Sequence, residues 1–386
     1  MEPEIHPHAT SVAAGGPSHE DDPALESHAP QSESWLLPDG DNIFVGRMGL
    51  RAGWSVLIFA ILFNVFKIAA GTALFELHLI DQTSEFTASS MLLGELVPFL
   101  AMLGAIALVC TIEQRRILDL NLEGPKRTVN FFSGLAAGFA ALSTLVASLA
   151  LGGWLRFGPV ALSGKESFRL GALWACAFLL VGLVEEGLFR CYLLSTLARG
   201  LNFWWALGAI ATVCMLSMIA GGNGAWGVYL IAILGLAPCL WLHSRVIEDS
   251  GFWYAAWVTS TTFGYWHITN RSESWIGILA AAAIGFVFCV SIRVTGSVWW
   301  AIGCHAAWDW AETFFYGTAD SGLPAAGHYL TTSPQGAAFW SGGDVGPEGS
   351  ILVLGVILAL LLALLTIYGR KRTGAHGSAV ATGLSC

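Results

Sequence analysis

Apolar stretches of about twenty residues recur along this 386-residue chain, long enough for a helix to cross the hydrocarbon of a bilayer. They fall at about 54–75, 91–112, 130–154, 170–196, 203–221, 225–243, 252–268, 275–293, 297–316 and 351–369. In hydrocarbon every backbone polar group must bond internally, which leaves helices and closed barrels as the options. The runs are continuous rather than alternating with period two, so a membrane β-barrel is excluded. Composition agrees: 55% of the residues are hydrophobic and 12% charged, against roughly 25% charged in soluble domains. The expected fold is all-α, a polytopic helical membrane protein of about ten transmembrane helices.

The formal net charge of −9 is local. Residues 1–50 hold nine acidic side chains against Arg47 alone, which accounts for −8 and leaves the remainder at −1. No basic footprint for nucleic acid exists. The first 40 residues also carry six of the thirteen prolines and four of the ten histidines. Lacking a long apolar run, they are expected to stay disordered. The organisation read from this is a disordered acidic tail over 1–45, a helical membrane domain over 46–372 with its motif-bearing core at 170–316, and a flexible tail over 373–386. Twelve of the eighteen basic residues fall in or beside segments that are cytoplasmic if the N-terminus is, and four fall outside. Both termini are therefore expected in the cytoplasm. The connection 317–350, rich in Gly, Ser, Thr and Pro, reads as a plain outward-facing loop rather than a lid. The eight cysteines show no CxxC pair and read as inert core thiols.

Ionisable side chains inside a span are costly unless they face a partner or a cavity, so each is a functional candidate. Lys67 and Glu95 stand alone in their runs and read as structural residues, while Glu312 and His243 lie near span ends and read as reaching water. Val184-Glu185-Glu186-Gly187-Leu188-Phe189-Arg190 is different, placing three charges well inside one apolar run. Glu186 and Arg190, at i and i+4, share a helix face and can pair. Glu185 diverges from Glu186 by about 100° and must look elsewhere. Later runs supply partners: Phe263-x-x-x-His267, and His305-x-x-x-Asp309 with both polar groups on one face. A buried glutamate beside imidazoles suits a general base that takes a proton from water to attack a carbonyl. His267 and His305 would hold the water or the oxyanion, and Asp309 would fix the tautomer of a histidine. No Ser-His or Cys-His arrangement stands out, and HExxH is absent.

Taken in order, Glu185-Glu186-x-x-x-Arg190, Phe263-x-x-x-His267 and His305-x-x-x-Asp309 resemble the three motifs of the CPBP family. That family contains the CAAX prenyl endopeptidases and bacteriocin-immunity-like membrane proteases. The resemblance spans roughly 170–316, and Gly49-Leu50-Arg51-Ala52-Gly53-Trp54 adds to it. It implies an intramembrane glutamic endopeptidase of the bacterial plasma membrane, acting without metal or other cofactor on a peptide or membrane-protein substrate. Glu185 would be the base, Glu186 and Arg190 would support it, and His267, His305 and Asp309 would complete the catalytic set. The chain departs from the family pattern in two places. Asp309 stands where many members have Asn, and about 203–243 leaves room for an additional helical pair between the first two motifs. Two other readings use the same residues: a metal-dependent membrane protease liganded by the Glu, His and Asp side chains, and a non-catalytic immunity or scaffold protein.

Overall fold

A computed structural model describes residues 43–46, 49–78, 86–221, 237–245, 249–270, 272–320, 322 and 325–369. The acidic tail up to residue 42, the C-terminal tail 373–386 and residues 225–236 of one expected span lie outside these residues. From Phe44 onward the chain forms one unit. A short hairpin, β1 (Val45–Gly46) with β2 (Gly49–Leu50), leads into α1 (Ala52–Glu76), α2 (Ala88–Ile112) and α3 (Arg127–Leu151). Then come β3 (Leu155–Val160), α4 (Gly164–Leu197), α5 (Phe203–Gly221), α6 (Ser250–Trp266), α7 (Trp275–Thr295) and α8 (Trp299–Trp310). Strand β4 (Leu330–Pro334), the short α9 (Ala338–Ser341) and α10 (Leu352–Gly369) complete the order.

The all-α membrane fold is borne out, while the count of about ten spans is not matched. Among the described residues, six helices are long and apolar enough to cross a membrane: α1, α2, α3, α4, α7 and α10. Most of the expected span 225–243 lies outside the described residues, and two other expected spans are short helices. Helix α6 has 17 residues and α8 only 12, so neither spans about 30 Å of hydrocarbon by itself. They are walled by protein instead. Nine residues of α8 are buried, and that enclosure is what lets the helix carry His305 and Asp309. At the periphery, α1 turns Leu57, Ile61, Val65 and Ile68 outward, consistent with a lipid-facing surface.

The seam between α3 and α8 fixes the centre of the bundle. A Cβ at Gly134 would collide with the Trp300 carbonyl, one at Gly138 with the Cys304 carbonyl, and one at Gly303 with the Phe131 carbonyl. Small residues four apart thus allow the two backbones to touch, as in other membrane helix pairs. At one end of the bundle Glu113 accepts hydrogen bonds from Arg115 at 3.2 Å, Arg199 at 2.9 Å and the Ser55 hydroxyl. These contacts tie the end of α2 to the start of α1 and the residues just after α4.

The connection 317–350, expected as a plain loop, is structured. Strand β4 pairs antiparallel with β3 through Leu155↔Pro334, Arg156↔Ser333 and Phe157↔Thr332, and Trp154 stacks on Trp340 at 5.1 Å. The connection therefore packs onto the helices around α8.

Candidate active site

The first motif lies where α4 stops being a regular α-helix. The α-helical geometry ends at Glu186, and Gly187–Leu193 form a π-helical turn. Such insertions are frequent at functional sites because they re-aim side chains on an otherwise rigid rod. The third motif has a similar neighbour, since α8 runs into a π-helical turn over Ala311–Phe315.

Arg190 is fully buried. Its Nη1 donates to Glu186 Oε1 at 3.2 Å, as the i, i+4 spacing predicts. Its guanidinium also lies over the rings of Phe263, Phe288 and Phe189, 4.2, 5.5 and 5.7 Å from their centroids. These aromatic faces supply part of the compensation that water would otherwise give a buried cation.

Glu186 Oε1 has a second partner, His305 Nδ1 at 2.9 Å. On the other side of that imidazole, Nε2 lies 3.5 Å from Asp309 Oδ2 and 3.7 Å from Glu185 Oε2. Two features of this geometry are not legible in the spacing of the motifs. Glu186, rather than Asp309, makes the hydrogen bond that sets the His305 tautomer, because it alone comes within bonding distance. Glu185 and Glu186 do diverge around the helix, yet both reach one residue, since the two nitrogens of an imidazole point apart. Phe288 stacks on the His305 ring at 5.8 Å and Phe263 meets it edge-on at 6.2 Å.

His267 follows α6 in a short 3₁₀ turn, with its Nδ1 2.8 Å from the Phe263 carbonyl. A carbonyl only accepts, so Nδ1 carries the proton and Nε2 of the neutral ring keeps its lone pair. Glu185, His267, His305 and Asp309 all line one cavity of about 330 Å³. Its wall also includes Glu95, Glu273, Asp320 and Glu348. Glu186 and Arg190 sit behind it, fully buried. Of the first-motif carboxylates Glu185 is the accessible one, with 23% of its side chain exposed against none of Glu186.

Several residues depart from the sequence expectation. Glu95, read as an isolated structural residue, is on the cavity wall. Glu312, read as reaching water, is fully buried, and its Oε2 accepts from Trp308 Nε1 at 3.1 Å. His243 is exposed, as expected, and stacks on Phe203 at 4.0 Å. Six of the seven described cysteines are buried, and Cys176 is exposed. Outside the spans, burial pushes Glu273 up to about 7. Burial, followed by the nearby charges of Asp320 and Glu273, pushes Glu348 up to about 8. Sequence reasoning missed Glu273, Asp320 and Glu348, because each lies in a connection where no helical spacing marks it.

Comparison with known proteins adds one finding. Residues 240–311 match the family model for Rce1-like type II CAAX prenyl endopeptidases. The match fits the CPBP/CAAX protease family that the three motifs resemble, a family of membrane proteases. The Rce1-like segment holds His267, His305 and Asp309; Glu185, Glu186 and Arg190 precede it. No curated protein and no solved structure matches the chain.

Proposed function

We propose that this chain is an intramembrane glutamic endopeptidase that hydrolyses a peptide bond of a membrane-associated substrate, with Glu185 as the general base. The observation that supports this reading best is the meeting of Glu185, His267, His305 and Asp309, from three separate chain segments, on one cavity of about 330 Å³. Glu185 Oε2 has no hydrogen-bond partner among the described side chains and backbone groups. That oxygen is buried, so the exposed part of the Glu185 carboxylate, on the cavity wall, is what a water would meet.

In this mechanism Glu185 takes a proton from water as the water oxygen adds to the carbonyl carbon of the scissile bond. The carbonyl oxygen becomes an oxyanion. His305, its Nδ1–H held by Glu186, presents Nε2–H to that oxygen when the ring is protonated. His267 offers the Nε2 lone pair to the attacking water, and Asp309 orients His305 from the Nε2 side. The proton on Glu185 then passes to the leaving nitrogen as the C–N bond breaks, which returns the glutamate to its starting state. Arg190 holds Glu186 in place and touches no substrate.

The test is Glu185→Gln in purified full-length protein. The variant is expected to lose about 10²–10⁴-fold in the rate of peptide cleavage with little change in thermal stability. Undiminished cleavage would rule out the base assignment. The metal-dependent reading requires these donors to surround one ion. Among the described residues, the acidic, histidine and cysteine side chains that come close enough together to do so are Glu312, Asp320 and Glu348.

A further inference from the structure

Glu312, Asp320 and Glu348 each offer a carboxylate oxygen, and these oxygens lie within 4.8 Å of one another. The three residues come from the π-helical end of α8, the first part of the 317–350 connection and the 3₁₀ turn Pro347–Gly349. Trp308 Nε1 is shared between two of them, donating to Glu312 Oε2 at 3.1 Å and to Glu348 Oε1 at 2.8 Å. Thr313 Oγ1 donates to Asp320 Oδ2 at 2.8 Å.

An acidic cluster alone says little, but Glu312 adds a second observation. Its side chain is fully buried, and its Oε1 has no hydrogen-bond partner among the described groups. That oxygen lies beside Gly346, two residues before Glu348. A Cβ at Gly346 would lie 3.3 Å from it and would collide with the Ala319 carbonyl, so the two loop segments that carry Asp320 and Glu348 close over this atom. Gly346 holds φ at +112°, a conformation that favours glycine. Among the described residues no Lys, Arg or His comes within ion-pair distance of Glu312 or Glu348. A buried carboxylate oxygen without a donor is expensive, and a cation supplies what it lacks.

We infer that Glu312, Asp320 and Glu348 form a binding site for one Ca²⁺ ion, separate from the Glu185–His305 centre, that pins the 317–350 connection to the end of α8. The donor set is all oxygen, which selects a hard cation. Ca²⁺–oxygen distances of 2.3–2.6 Å allow two ligands of one ion to lie up to roughly 4.6–5.2 Å apart, and the three carboxylate oxygens lie within 4.8 Å of one another. Mg²⁺ keeps several of its waters and is usually held by one or two carboxylates in near-ideal octahedral geometry, so a site of three protein carboxylates suits the more flexible shell of Ca²⁺ better. Three carboxylates supply up to six of the oxygens that Ca²⁺ takes, with water completing the shell. Since Asp320 and Glu348 also line the catalytic cavity, the ion would set the position of that wall.

The test needs no substrate, so its outcome is independent of the peptidase reading. Full-length protein in detergent is stripped with EDTA, freed of chelator and titrated with CaCl₂ in a calorimeter, with MgCl₂ in parallel. One saturable Ca²⁺ per chain is expected, bound more tightly than Mg²⁺. Glu348→Gln and Asp320→Asn should each weaken it by roughly tenfold or more. Ca²⁺ at ten times its Kd should raise the wild-type Tm by roughly 3 °C. No saturable binding, tighter binding of Mg²⁺, or equal Ca²⁺ binding by wild type and both variants would each overturn the proposal. The last result would place the ion outside this cluster. If one variant fails to fold, the wild-type titration and the other variant still decide.

Discussion

Two groups of carboxylates flank α8, and the cost of burying charge is met differently in each. Around His305, Glu186 is bonded to Arg190, the guanidinium is caged by three phenyl rings, and the imidazole joins the two motifs. That group carries its own cation. Two turns further on, Glu312 and Glu348 share a single indole N–H and have no basic partner among the described residues. The first arrangement holds its own counter-charge, although Glu186 Oε2 and Arg190 Nε and Nη2 accept or donate no hydrogen bond among the described groups, whereas in the second the Glu312 and Glu348 carboxyls rest on one indole donor. The contrast shows why burial alone does not mark a catalytic carboxylate. The partner decides whether a buried acid is a fixed part of the scaffold or a receptor for an ion.

The sharpest way to break the first group is Arg190→Met, which leaves Glu186 buried without its guanidinium. Removing one member of a buried pair costs about 3–5 kcal/mol, measured by denaturant or thermal unfolding in detergent. The double variant Glu186→Gln/Arg190→Met should recover much of that loss. The second group is probed by Trp308→Phe, which removes the donor shared by two carboxylates. Leaving buried acceptors without this donor costs about 1–3 kcal/mol, and Ca²⁺ should restore part of it if the ion site is correct. A smaller effect is expected from Glu273, on the cavity wall between the two groups. Its folded-state value of about 7 lies above the ordinary 4.5, so the folded protein holds a proton that the unfolded chain has released. The stability gained is full below about pH 4.5 and is lost as pH rises to about 7. Tm measured across that window should fall less steeply in Glu273→Gln than in wild type. The smallest effect belongs to Glu166→Gln, which breaks an exposed pair with Arg169 and should leave Tm unchanged.

The sequence was most readable where spacing encodes geometry. Glu186 with Arg190 and His305 with Asp309 are visible as i, i+4 pairs, and the continuous apolar runs reveal the helical membrane fold. What brings the pairs together was less visible. Which acid reaches His305 depends on how closely α4 approaches α8, at Gly182, where a Cβ would lie 3.2 Å from the Ile302 carbonyl. No one-dimensional pattern records that approach. The number of spans was harder to read, because burial in protein and burial in lipid select the same residues: α6 and α8 are apolar and largely enclosed by other helices. Asp320 and Glu348 were missed because connections have no period to read. The Gly134-x-x-x-Gly138 spacing was available in the sequence and would have indicated the α3–α8 seam.

That seam has a mechanical consequence. With main chain resting on main chain at Gly134, Gly138 and Gly303, α8 has no layer of side chains to act as a bearing, and it can neither roll nor slide without opening the contact. His305 and Asp309 therefore ride on the stationary part of the machine.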